Sequence, residues 1–260
     1  MVNKTTFKQY LLEAKIEISP AETSKELLAS IVDGKFTKDG SKLEIYDNFV
    51  CSALGMKSLK GSPEIINGDF YCINNQLKTL AGGPKIVRGL FNCDSNELTS
   101  LIGAPQIIKK EFSCDSNKLK SLKGSPRIIN GDFYCRNNKL KYLIDGPEVV
   151  NGNFTCSKNN LISLLGAPKI IKGHFYSSHN SFTSLKAINL YIHEIDGWAY
   201  FNDCEIKSNI LGLLKIKGLR RVTLNNEKIS DIMNKYLPEG NISECMDELI
   251  DNGFGEYAKW

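Results

Sequence analysis

The residues most able to do chemistry are eight cysteines and three histidines in 260 residues. Six of the cysteines, Cys51, Cys72, Cys93, Cys114, Cys135 and Cys156, stand 21 residues apart, and Ser177 takes the next place. Metal ligands converge as C-x-x-C pairs joined by a second pair or by histidine, and these are lone residues at a fixed interval. A small, weakly polar side chain repeated this way is expected to fill a core. His174, His179 and His193 have no nucleophile at a matching position. The chain contains no H-E-x-x-H, no phosphate-binding loop and no G-x-G-x-x-G opening a helix. The expectation is a non-enzymatic protein with no cofactor and no metal.

What the cysteines share is a clock, and other residues keep it. "GSPEIINGDFYCINNQLKTL" from Gly61 returns as "GSPRIINGDFYCRNNKLKYL" from Gly124, three periods later. Pro63 to Pro168, Phe49 to Phe175, Asn75 to Asn180 and Leu59 to Leu185 form columns at the same spacing. A fixed period of this size marks a solenoid, whose units bury their apolar sides only against one another. Alternation around F-x-C marks a short strand with Phe70 and Cys72 inward and Asp69, Tyr71 and Ile73 outward. The asparagine after it is placed to satisfy backbone groups of the turn. Glycine and proline on the return limb predict an extended, mostly non-helical back.

At Phe70, Cys72, Asn75 and Leu77 the chain resembles the leucine-rich repeat family, whose pattern is L-x-x-L-x-L-x-x-N-x-L. The short period and L-x-G-x-P limb look most like the bacterial-effector type. The departure is at the first position, where Asn67 stands and apolar Ile66 lies one residue early. The resemblance covers roughly residues 43–187. It implies an α+β repeat solenoid with a parallel sheet on a concave side, a mostly non-helical convex side and helical caps. Residues 1–41 are expected as an N-terminal helical cap, 42–187 as about seven rungs, and 188–260 as an irregular last rung with a C-terminal helical cap or second recognition module. Ubiquitin-ligase members of that class use a C-x-D motif, as in Cys245-Met246-Asp247, but the residues that remain here are too few for their catalytic domain, and that reading is discarded.

A second resemblance lies in "KTTFKQYLLEAK". It is similar to the capsid-targeting segment on internal proteins of large tailed bacteriophages, with an extra threonine between Lys4-Thr5 and Phe7. Leu11-Leu12-Glu13 would then be a processing site, with Leu11 and Glu13 its defining residues. The resemblance implies packaging in the virion, delivery to the host cytoplasm and a role against host defences. The sequence shows no apolar run long enough for a membrane helix and no secretory signal at its start, so an intracellular protein is expected.

Residues 56–187 carry 18 basic and 9 acidic side chains. On the outward strand positions the acids prevail. Three columns are expected to form a docking strip through Asp69, Tyr71, Ile73, Asn92, Asp94, Glu111, Asp115, Asp132, Tyr134, Arg136, His174 and Tyr176. Tyrosine among carboxylates suits a basic protein surface, and the expected partner is a host-encoded protein that is bound and inhibited. Outward strand positions can equally be merely solvated, with tyrosine favoured by strand propensity. One alternative is nucleic acid held by Lys109, Lys110, Lys118, Lys120, Lys123 and Arg127 on the convex side. Another is a structural virion component.

Overall fold

Two stretches in each 21-residue unit are extended, and a bend at Asn-Gly-Asp separates them. In the unit from Pro63 they are Ile65–Ile66 and Phe70–Tyr71. Each stretch pairs in parallel with its equivalents one period away: Ile65 with Ile86, and Phe70 with Phe49 and Phe91. The computed structural model, which describes residues 36–39, 42–46, 48–60 and 62–259, is therefore a parallel β-solenoid of about eight turns with few helices. The front sheet has nine parallel strands, from Phe49–Val50 to Arg221–Thr223. The back carries a second set of two-residue strands, where only an extended or turn-like limb was expected. Ile66, one place early for a leucine-rich repeat, is the buried residue of this back strand.

The core is made of columns. Phe70, Phe91, Phe112, Phe133, Phe154 and Phe175 are fully buried, with successive ring centroids 5.2 to 5.6 Å apart. That spacing slightly exceeds the strand separation of about 4.8 Å, so the rings sit offset or tilted, as their quadrupoles favour. Beside them run the cysteines, all eight free and buried. Burial pushes the Cys51 thiol up to about 12, and the Cys204 and Cys245 thiols up to about 11. Cys245 lies in a helix with Sγ 3.7 Å from the Met233 sulfur.

The asparagine column is buried and spends its whole amide on the backbone. Asn138 Nδ2 donates to the carbonyls of Cys114, Cys135 and Arg136, and its Oδ1 accepts from Leu119 N at 3.0 Å. One side chain thus ties its own turn to the preceding rung. The residue before it takes a left-handed conformation in every rung, as Asn137 does at φ 53°.

The ladder outlives the 21-residue period. Phe175 pairs with Ala199 and Ala199 with Val222, so the last two coils are longer than 21 residues. A short helix, Ile188–Tyr191, occupies part of the added length. Within the region expected to hold a C-terminal helical cap, the segment 209–219 forms only a 3₁₀ turn over Leu211–Lys215. Two ten-residue helices follow, Glu227–Tyr236 and Ile242–Asp251, capped by Asn226 and Asn241. The first of them meets the last front strand with polar groups: Asn234 accepts from Val222 N at 2.7 Å and donates to Val222 O at 3.0 Å, and Ser230 Oγ accepts from Leu224 N. At the other end, Phe36–Asp39 and Lys42–Ile45 form an antiparallel hairpin that joins the back sheet through Glu44 and Ile65. Of the helical cap expected over residues 1–41, the described part, Phe36–Asp39, is a strand, and the rest, with the site at Leu11 and Glu13, lies outside the described residues. No helix among the described residues is long and apolar enough to cross a membrane.

Candidate functional site

The front sheet turns one side chain of each strand outward and sets it among bend and turn residues. The twelve residues expected on this face all lie along it, and many of them serve the fold first. Asp69 Oδ1 accepts from Leu90 N on the next rung at 2.9 Å, Asp132 Oδ1 from Asn153 N at 2.7 Å and Asn153 Oδ1 from His174 N at 2.8 Å. His174 continues the series, its Nδ1 accepting from Trp198 N at 3.0 Å. A second series runs along the opposite margin, where Asp94 Oδ1 accepts from Asp115 N and Asp115 Oδ1 from Arg136 N. Aspartate recurs in these unfavourable positions because each carboxylate satisfies a backbone amide of its neighbour rung, a charge-assisted bond. In the first series each staple needs room, and glycine at the bend supplies it, as Gly89 does beside Asp69 and Gly173 beside Asn153.

The carboxylates still set the field. Burial raises the Glu111 pKa, and the nearby charges of Asp132, Asp69 and Asp94 raise it further. Asp115 is buried and shifted upward by desolvation, against the pull of Arg136, whose Nε lies 2.7 Å from Asp115 Oδ2. Tyr71 and Tyr134 direct their hydroxyls at Asp69 and Asp132, the latter at 2.6 Å, and burial with these bonds raises both phenols. Asn92 Oδ1 accepts from Asp94 N, and Ile73 N donates to Ser52 Oγ.

Beyond Asp132 the face changes character. A groove of about 670 Å³ crosses the rungs there, with Tyr134 and Tyr176 on either side of Thr155 and with Arg136, Lys158 and His179 along its margin. Tyr134 and Tyr176 are two strand spacings apart, about 9.6 Å, and the small buried Thr155 makes a notch between them. The groove opens beside an aromatic platform. Tyr176 and Tyr200 stack at 4.7 Å and 6°, His174 meets Trp198 edge-on at 5.8 Å, and the Arg221 guanidinium lies 5.3 Å from the Trp198 ring centre. His179 Nε2 is 3.3 Å from Asp203.

Trp198, Tyr200 and Arg221 were not among the residues expected on this face, because the longer coils take them off the 21-residue clock. The signal was local: Gly197-Trp198-Ala199-Tyr200 repeats the glycine, outward, inward, outward order of Gly173-His174-Phe175-Tyr176. The six basic residues considered for nucleic acid follow one another around a single coil rather than along the stack. Lys110 lies 3.8 Å from Asp69, Lys118 pairs with Glu97 and Arg127 with Glu148. No protein-family model and no curated protein matches the chain.

Proposed function

We propose that the protein is a non-enzymatic binding module whose front sheet docks a protein partner. The observation that carries this reading is the groove between Tyr134 and Tyr176 and its continuation into the Tyr200, Trp198 and Arg221 platform. Tyrosine, tryptophan and arginine dominate binding hot spots because they bury much area for few rotatable bonds. Here a stapled sheet pre-orders them, which lowers the entropy lost on docking. The acidic rungs from Asp69 to Asp132 add steering toward a partner with a cationic flank. A host-encoded partner, held in an inhibited state, is the reading suggested by the N-terminal resemblance to phage capsid-targeting segments.

Affinity capture from a bacterial lysate tests the face. Tyr176→Ala, Trp198→Ala and Arg136→Ala should each reduce recovery of the captured protein at least tenfold. Charge reversal at Asp69 or Asp132 is the poorer probe, since it also removes a staple. Equal recovery with all three variants would refute docking at this face.

Nucleic acid stays the second reading for one reason. Lys118 stands one rung from Lys139 and Lys120 one rung from Lys141, all four exposed, with Lys158 one rung beyond Asn137. Retention on DNA that falls steeply between low and moderate salt, and that is lost with the lysines rather than the aromatics, would favour it.

A further inference from the structure

The back sheet carries an apolar stripe that the front-face reading leaves unused. Ile65, Ile86, Ile107, Ile128, Val149 and Ile170 share one outward column, with Glu44 before it and Glu194 after it. The two middle residues are the most open, Ile107 at 43% and Ile128 at 52% exposure. The back ladder is interrupted between these same two rungs. The sheet ending at Ile107–Ile108 and the one starting at Ile128–Ile129 are separate, and Asn130 Nδ2 reaches Ile108 O at 3.0 Å across the gap.

Within the chain Glu64 pairs with Lys85 and Glu148 with Arg127, rung to rung, and the flanking columns are in addition self-complementary under reversal. On one side run Glu64, Lys85, Gln106, Arg127, Glu148 and Lys169. Reversed and laid against itself, this column sets Glu64 opposite Lys169, Lys85 opposite Glu148 and Gln106 opposite Arg127. On the other side run Asn67, Arg88, Lys109, Asn130, Asn151 and Lys172. Reversal there sets every cation opposite an asparagine. A slip of one rung in either direction brings like charges together, Lys85 onto Arg127 and Glu64 onto Glu148, or Lys85 onto Lys169. At the ends Glu44 would face the second copy's Glu194, which Lys172 already neutralises.

We propose that the back sheet binds a second copy of this chain, through a two-fold axis lying along the strand direction between the Ile107 and Ile128 rungs. Such an interface is isologous, and self-complementarity under reversal is the property it requires. Ile107 of one copy meets Ile128 of the other at the centre, where exposure is greatest, and the charge columns fix the register. The stripe is about 25 Å long and one strand wide, less than the about 800 Å² per partner of a standard interface. Association is therefore a reversible monomer–dimer equilibrium, and both front faces stay open.

Sedimentation equilibrium of the full chain between about 5 and about 500 μM reads it directly, a range that spans weak, reversible association. Wild type should approach the mass of two chains at the upper end. Ile128→Lys, a change at a side chain already in solvent, should weaken association at least tenfold with no change in thermal midpoint. Lys85→Glu and Glu148→Lys should each weaken association as much, besides losing the exposed pairs with Glu64 and Arg127, and the double charge swap, which restores neither of those pairs, should return to within threefold of wild type. Positions 85 and 148 lie three rungs apart in one chain, about 14 Å, so rescue cannot arise within a chain. A single-chain mass at every concentration, or a double swap as weak as its parents, would overturn the proposal.

Discussion

Asp132 and Gly152 occupy one volume. The Asp132 carboxylate crosses to Asn153 N on the next rung, and a Cβ on Gly152 would lie 2.2 Å from its Oδ1. The same holds for Asp69 and Gly89, at 2.1 Å. Where the stapling column has Leu90, the following glycine place is filled by Lys110. The repeated G-D-F is thus one device spread over two rungs, with the acid stapling forward and the next glycine clearing its path.

Gly152→Ala should therefore destabilise the fold by about 2 kcal/mol, through the clash and the displaced staple. Asp132→Ala should cost about 2 kcal/mol by orphaning an amide. The double variant should cost less than the sum, since the contact with Oδ1 is gone while those of the new Cβ with Gly131 C at 2.7 Å and the nitrogen of residue 132 at 2.8 Å remain. Urea unfolding of the four proteins in a double-mutant cycle measures this coupling, and strict additivity would show that the two residues do not share space.

Asn138→Leu should be among the most damaging single changes, about 3 kcal/mol or more. It orphans the Leu119 amide and takes one of two donors from each of three carbonyls, while burying an apolar side chain against them. A urea midpoint close to wild type would mean that water or a shifted turn replaces the amide.

Ser177 interrupts the cysteine column, fully buried, and among the described residues its hydroxyl has at best the weakly polar Cys156 thiol beside it. Ser177→Cys restores the column and removes a polar group that costs about 1 kcal/mol to bury so poorly paired. A rise in thermal midpoint is expected, and a fall would place an unseen partner on that oxygen.

The thiols make stability fall at high pH. Burial holds them above the ordinary thiol value of 9.0, with Cys51 pushed up to about 12 and Cys204 and Cys245 to about 11. The folded state therefore holds protons that the unfolded chain releases above about pH 9. Their contribution is complete below that value and is lost as pH rises through 9 toward 12. Urea midpoints between pH 7 and 11 should show the decline, and a Cys51→Ala, Cys72→Ala double variant should show less of it. Native thiols should also resist aromatic disulfide reagents until the chain opens.

The buried columns were legible in the sequence because burial is periodic: Phe70, Cys72, Asn75 and Leu77 recur wherever the coil recurs. The back strand was half legible. Ile66 looked like a register error in a known pattern, and it is the inward residue of a second strand. The staples were hidden, since an outward Asp69 looks solvated until the next rung's amide is in place. Leu90 with Lys110 was the trace they left, an exception in two columns one rung apart. The platform of Trp198, Tyr200 and Arg221 was lost for a simpler reason, because insertions change the count while strand pairing preserves the register.

The docking claim is most directly tested by hydrogen exchange on the captured complex, comparing amides of the groove and platform with those of the back sheet. Segments 132–136, 153–158, 174–179 and 198–203 should slow on partner binding, while 106–110 and 126–130 should be unaffected. Protection confined to the back segments, or none on the front, would contradict a front-face site.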